Sequence, residues 1–507
     1  VAWCGAGVVG LCLLAYVALR WRSPVVGAVA QAGPPEATAA WWLEPPALTE
    51  QELAFQRWLA SVTCDLPRER WPEHWNVGGG QYGVSSIRYQ AAFAGYAGAV
   101  LGMRTPAYPA LTRRILESTI DHLTDRAAWS YVHAYWKDKP WYPDPCADEN
   151  IMYTGHLLQL MALHEALTGD PRYRTTGVDL VWDEKTAFHY TLVSLAGVTV
   201  RQMRANACGG VACEPGLVFF PCNDHPQIAL ALMQGMGLGD WSAERTKWET
   251  WALSSYGPSL GGGALSLLYH LDTGMFVPRG HPGLDGWGLL WYAPWAARAD
   301  SPARIWQATR AHLDLDGYAA STPVDLARGE ATESSCCNPV RVPASAVASF
   351  LAPAARACGD PATAARIEDW LDRGFLRQAD GRAWLETSPE WRIGVTANRA
   401  LAAALAHGSD LRGLVQRPLP RDYFTGPLVT AVGPPDVAVA EAYREGPDLV
   451  LNLDAHGQSA TVELANVAAV LDVTGIPRDG WRLEGTRLLL APTGQVRLRV
   501  VPRIREP

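Results

Sequence analysis

Glu149-Asn150-Ile151-Met152-Tyr153-Thr154-Gly155-His156-Leu157-Leu158-Gln159-Leu160-Met161-Ala162-Leu163-His164-Glu165-Ala166-Leu167 is the stretch on which the fold turns. It reads as one helix over 150–167, rich in Leu, Met and Ala, which lose little side-chain freedom in a helix. Thr168-Gly169-Asp170-Pro171 follows, with Gly closing one helix and Pro opening the next. Amphipathic helical segments of this kind recur at 48–62, 85–101, 111–123, 191–204, 226–236, 284–297, 303–313, 344–357, 362–375 and 395–406. Loops carrying Gly, Pro and Asp separate them. Eleven helices between Leu48 and His407 fit a closed toroid of up to twelve paired helices. A short hairpin is expected at 264–275, where Leu265–His270 precedes the turn Leu271-Asp272-Thr273-Gly274.

Beyond Pro418 the pattern changes. Segments 428–432, 436–443, 449–454, 459–464, 468–473, 487–490 and 496–501 are short, Val/Leu-rich and separated by turn residues such as Asp479-Gly480. They predict a small all-β domain of sandwich type over 418–507. At the other end, residues 1–19 carry no charge and are followed by Arg20 and Arg22. That predicts a membrane anchor over 1–22, with the side of the membrane undetermined. Residues 23–46, rich in Ala, Pro, Gly and Val, read as a linker. The helical domain then occupies 47–417.

Composition excludes several classes. Hydrophobic residues make up 48% and charged residues 19%, so the chain is globular rather than disordered. The net charge is -8 with no Lys/Arg cluster, which argues against nucleic-acid binding. The ten cysteines show no CxxC and no paired His spacing, so no metal site is indicated, while one or two disulfides stay open. No Walker loop, dinucleotide fingerprint, Gly-x-Ser-x-Gly elbow or His-Glu-x-x-His occurs, and no cofactor is expected. Trp is the outlier with 22 copies, several of them clustered at 129–141 and 287–295. Core packing is the first reading of these aromatics, and their clustering beside polar residues raises the alternative of a ligand pocket.

Four stretches carry candidate chemistry. On the 150–167 helix, Met152 and His156 are four apart and share a face, with Glu149 near the helix start. A capped helix with a core histidine is the alternative. Gly210-Val211-Ala212-Cys213-Glu214-Pro215 and Phe219-Phe220-Pro221-Cys222-Asn223-Asp224-His225 place two cysteines nine apart around an aromatic segment. Pro215 and Pro221 predict a loop leading to a helix after Asp224, with Cys222 near its N-terminus. Two buried thiols or a disulfide would explain the pair equally well. Tyr89, Phe93 and Tyr96 fall on one helical face, as do Trp287 and Trp291, and Tyr269-His270 lies in the expected hairpin.

Taken in order, these stretches resemble the linalool dehydratase-isomerase family over roughly residues 71–300. The resemblance implies an (α/α)6 barrel, in agreement with the helix count. It also implies a cofactor-free lyase/isomerase acting on a monoterpene or similar alkenol. Tyr89 matches a pocket tyrosine, and Met152 and His156 match pocket residues, His156 being the polar one near the substrate hydroxyl. Cys213 and Cys222 match two pocket cysteines, with Glu214 beside the first. Asp65 is the nearest candidate for the family's upstream acid. Trp287 stands where the family is expected to have a tyrosine.

Dehydrating an allylic alcohol needs an acid for the departing hydroxyl, a base for a neighbouring C–H, and shielding of the cation from water. On the resemblance, His156 or Tyr89, backed by Asp65, protonates the hydroxyl. Cys213, Cys222 or Glu214 takes the carbon-bound proton, and a thioether through one cysteine is the competing version. Met152, Phe219, Phe220 and Trp287, with Tyr269, form the apolar wall. The expected partners are a small alcohol or alkene and, through residues 1–19, a membrane, with a homo-oligomer left open. Two other readings stand beside this one. A carbohydrate-active barrel enzyme would draw its paired carboxylates from Asp144, Asp148, Glu149 and Glu214. A non-catalytic membrane-tethered homologue would keep only the fold.

Overall fold

The structure is a computed structural model. It describes residues 40–502 apart from 78–84, 258–263, 266–267, 278–281, 314, 316–330, 335–338, 435–436, 447, 456–458, 476, 486 and 491–494. Twelve helices of ten or more residues are found among these. They are α1 (Glu50–Thr63), α2 (Ile87–Gly102), α3 (Pro109–Thr124), α4 (Ile151–Thr168), α5 (Leu192–Ala205), α6 (Phe220–Gly235), α7 (Ser242–Ser255), α8 (Pro282–Tyr292), α9 (Ser301–Arg310), α10 (Ala344–Ala357), α11 (Pro361–Phe375) and α12 (Pro389–Ala406).

The even-numbered helices form a ring: each packs on the next, and α12 closes on α2. The odd-numbered helices lie outside, α1 on α12 and α2, α3 on α2 and α4, α5 on α4, α7 on α6, α9 on α8, and α11 on α10. This alternation is the expected helical toroid. Amphipathicity sorts the two layers. Every residue of α2 and α4 is buried, whereas α11 buries one stripe built on Ala364, Ile367, Trp370 and Leu371. A helix enclosed on all sides must be apolar all round, while an outer helix needs only an apolar stripe.

The sequence pattern misses α7. Its buried face rests on Trp248, Ala252 and Leu253, with Glu244 and Glu249 interrupting it and no side-chain cap at Trp241. It also places the start of α6 too late. Cys213 and Glu214 lie not in a loop but in strand β3 (Ala212–Glu214), which pairs with β4 (Leu217–Phe219). The helix begins at Phe220, with Pro221 in its first turn, where a residue lacking an N–H loses nothing. The expected hairpin near 264–275 is found as β5 (Leu268–His270) and β6 (Phe276–Val277), which extend the β3–β4 sheet. Hairpins β1 (Val178–Asp183) with β2 (Thr186–Tyr190), β7 (Ala331–Ser334) with β8 (Pro339–Val342), and β9 (Leu376–Ala379) with β10 (Arg382–Leu385) connect helices elsewhere.

Residues 428–502 form a separate β domain of two four-stranded antiparallel sheets. One has the order β11 (Leu428–Gly433), β14 (Ala460–Ala465), β17 (Arg487–Leu490), β16 (Trp481–Glu484). The other has the order β12 (Ala438–Glu445), β13 (Asp448–Asp454), β18 (Gln495–Pro502), β15 (Val467–Thr474). Val429, Leu449, Leu451, Val462, Leu488 and Leu490 fill the space between them. Seven of these strands are predicted from the sequence. The eighth, β16, is an edge strand whose alternating Arg482 and Glu484 hide it. Main-chain bonds attach the domain to the barrel: Leu48 N–H donates to Ala440, Ala107 N–H to Ala442, and Val429 N–H to Ala107. The expected anchor over residues 1–22 lies outside the described residues. Among those described, no helix is long and apolar enough to cross a membrane.

Glycines set the spacing of the layers. A Cβ at Gly98 of α2 would stand 2.6 Å from Cγ2 of Ile115 on α3. A Cβ at Gly155 of α4 would stand 3.1 Å from Cδ of Pro226 and 3.3 Å from the Cys222 carbonyl on α6. The second approach seats His156 against the first turns of α6. Because Ile115 is β-branched and cannot swing aside, Gly98→Val is expected to lower unfolding free energy by about 1–3 kcal/mol in urea titration.

Candidate active site

The first three turns of inner helices carry the polar and aromatic cluster at one end of the barrel. Arg88, Tyr89, Phe93 and Tyr96 come from α2, Met152, His156 and Gln159 from α4, Cys222 and His225 from α6, Trp287 and Trp291 from α8, and Phe350 from α10. Strands β3 and β4 add Cys213, Glu214 and Phe219. Pro226 cannot donate to the Cys222 carbonyl, and that carbonyl lies against Gly155.

Trp287 is the hub. Its ring lies 5.2 Å from Tyr89, 5.8 Å from Phe93 and 5.7 Å from Phe219, all edge-on. It stacks on Phe350 at 5.7 Å and on His156 at 6.1 Å. Its indole N–H donates to Nε2 of His225 at 3.0 Å. His225 Nδ1 in turn meets Oε1 of Gln159 at 2.6 Å. The rings of His156 and His225 are 3.9 Å apart, and Tyr96 holds Nδ1 of His156 at 2.7 Å. Burial drives the His156 pKa down to about 3, with Arg88 adding to the shift, so the ring is neutral above pH 5. His225 is lowered by the same burial and by its neighbour His156. An imidazolium at His156 would be dry and without a carboxylate partner, which disfavours the charged form there.

Arg88 is buried over the faces of Tyr131, at 4.2 Å, and Tyr89, at 4.7 Å, and reaches Sδ of Met152 at 3.6 Å. Tyr131 donates to Asn150 at 2.6 Å. Glu149 and Asn150 both adopt positive φ, 51° and 56°. Trp136 donating to Glu149 and Asn150 donating to Pro145 hold that unusual entry to α4.

Glu214 is half-buried, and desolvation raises its carboxyl to about 7 against the opposing pull of Arg88. Cys213 and Cys222 are buried free thiols, and burial first, then its neighbour Cys222, pushes the Cys213 thiol well up. Tyr89 is also raised, by burial first and by Cys222 next. The site thus holds phenols, imidazoles and an indole in their neutral forms, a pair of thiols, and one carboxyl raised toward neutrality.

The cluster gathers Tyr89, Met152, His156, Cys213, Glu214, Phe219, Cys222 and Trp287. Three predicted residues lie elsewhere. Asp65 sits on the outside, beyond the end of α1, paired with Arg114 at 3.0 Å with its side chain 60% exposed. Phe220 turns away to pack on Tyr256 and Trp248, because one step along the chain reverses the face. Tyr269 packs on Trp251 and Phe276 on the outer side of the sheet. The sequence reading assigned no site role to Arg88, Tyr96, Gln159, His225 or Phe350. His225 stands three after Cys222 and Tyr96 seven after Tyr89, so helical spacing places each on the face of its helix that meets the cluster.

A model of the family described as linalool dehydratase/isomerase matches residues 88–391, more than half of the chain. The chain belongs to this family. The matched span takes in Arg88, Tyr89, Met152, His156, Cys213, Glu214, Cys222, His225 and Trp287 and leaves out the β domain. Among solved structures the barrel resembles an unsaturated glucuronyl hydrolase from Bacillus sp. GL1, 13% identical, covering 70% of this chain and 95% of that one at a TM-score of 0.43. It also resembles an inactive variant of the α-1,6-mannanase GH76A of Salegentibacter sp. HEL1_6, 9% identical, covering 71% and 99% at a TM-score of 0.40.

Two other acidic groupings are accounted for by structure. Asp144 accepts from the Cys146 N–H and the Tyr190 hydroxyl, and Glu149 from Trp136 and the Gly216 N–H. Glu117, His164 and Asp170 are spaced to hold a cation, but Arg172 and Arg113 already meet Glu117 and Asp170 at 3.2 and 3.9 Å. Trp287→Phe leaves Nε2 of His225 buried without its donor and is expected to cost about 1–3 kcal/mol in denaturant titration.

Proposed function

We propose that this protein is a cofactor-free dehydratase/isomerase of a small unsaturated alcohol, working in the cluster around Trp287. The observation that carries the reading is the placement of Glu214, next to Cys213 on the strand that borders the thiols and aromatics of the cluster, in a chain of this family; burial there raises its carboxyl to about 7. Glu214 in its acid form gives its proton to the substrate hydroxyl, and the C–O bond breaks to release water. The positive charge left on the allyl system faces Trp287, Tyr89, Phe93 and Phe219, whose π-faces attract a cation. The carboxylate of Glu214 then takes a proton from the adjoining carbon, forming the alkene and regenerating the acid. One group thus serves both steps, and no net proton is consumed. Isomerisation is the same departure followed by return of water to the other end of the allyl system. His156 holds the oxygen, while Cys213 and Cys222 line the cation as neutral, polarisable groups.

The reading is tested by headspace gas chromatography of the protein with linalool, geraniol and short alkenols under reducing, air-free conditions. Glu214→Gln is expected to lower turnover by about 10²–10⁴-fold. Since the acid form is the active one, the rate should be level below pH about 7 and fall tenfold per pH unit above it. Dehydration at the unmodified rate by Glu214→Gln would overturn the assignment. If the folded protein turns over no alkenol, the reaction class itself is wrong.

A further inference from the structure

Five side chains of the cluster form two short chains that differ in one respect. In Gln159–His225–Trp287 both ring nitrogens of His225 are engaged, Nδ1 with the Gln159 oxygen and Nε2 with the indole N–H. Because an indole only donates, His225 Nε2 is an acceptor and its proton sits on Nδ1. His225 therefore has nothing left for a ligand. In Tyr96–His156 only one nitrogen is engaged: Nδ1 lies 2.7 Å from the phenol, while Nε2 is buried without a partner.

Counting protons settles which way that bond runs. Both side chains are fully buried, and the Tyr96 hydroxyl has no second partner among the described residues. If His156 donated from Nδ1, the phenol proton and the Nε2 lone pair would both be stranded in a dry site. If Tyr96 donates, only the Nε2 proton is unmet, and a substrate hydroxyl oxygen would meet it.

We infer that Tyr96 is a positioning residue that locks His156 in the tautomer protonated on Nε2, so that His156 offers substrate a hydrogen-bond donor and not a base. The assignment deepens the dehydratase reading and rests on it for its catalytic consequence. It defines the ligand atom as an oxygen that accepts a hydrogen bond: a hydroxyl or ether fits, an ammonium does not. It also separates the tasks, with the oxygen held by His156 and the proton supplied by Glu214.

The test is long-range ¹H–¹⁵N correlation of the full-length protein labelled with ¹⁵N-histidine, which separates N–H nitrogens from lone-pair nitrogens. His156→Gln identifies the resonances. The expected result is a single His156 tautomer, protonated on Nε2 and unchanged between about pH 5.5 and 8, which gives way to a mixture in Tyr96→Phe. A proton on Nδ1 in the unmodified protein, or an identical spectrum in Tyr96→Phe, overturns the inference. The spectrum of the unmodified protein decides the tautomer even if the variant fails to fold or no alkenol is turned over, so this inference and the dehydratase reading fail separately. With a confirmed alkenol, Tyr96→Phe should raise KM about tenfold, the value of one buried hydrogen bond, with a smaller change in kcat. A change in kcat alone would count against it.

Discussion

Exclusion of water from the centre of the barrel is the condition on which the rest depends. In a dry interior each polar group must be answered by another side chain or else carry a free-energy cost. Trp287 answers His225, Gln159 answers it from the other side, Tyr96 answers His156, and the faces of Tyr89 and Tyr131 answer Arg88. The same dryness raises Glu214 and lowers His156, bringing a carboxyl and an imidazole to reversed roles. In the proposed reaction the acid is the glutamate and the neutral donor is the histidine.

Close helix contact produces that dryness. Where α4 meets α6, Gly155 lets the Cys222 carbonyl and Pro226 approach closely, and the two histidine rings come within 3.9 Å of each other, tilted by 43°. The site is thus a by-product of how two inner helices nest. Packing and chemistry share residues here, so a change at Gly155 would act on both.

The fold was largely legible because the inner helices are apolar for most of their length and Gly or Pro marks their ends. Helix α7 escaped because two glutamates interrupt a stripe carried by three residues, and β16 because it is four residues with charged alternates. The site was legible where one residue type carries the signal, as at His156 and the two cysteines. It was illegible where function depends on direction. Phe219 and Phe220 are adjacent in sequence yet face opposite ways once Phe220 starts a helix. Asp65 is an acid at a suitable distance along the chain whose side chain points to solvent and Arg114. No spacing rule identifies Gln159 as the partner of His225, since that pairing is made by the crossing of α4 and α6.

The three main-chain bonds between barrel and β domain have a mechanical meaning. Ala107, in the turn between α2 and α3, donates to Ala442 of one sheet and accepts from Val429 of the other. A turn of the helical layer is thereby stitched to both sheets of the sandwich. A force pulling on the C-terminal strands is delivered to α2, the helix that bears Arg88, Tyr89 and Tyr96, rather than being absorbed by a slack tether.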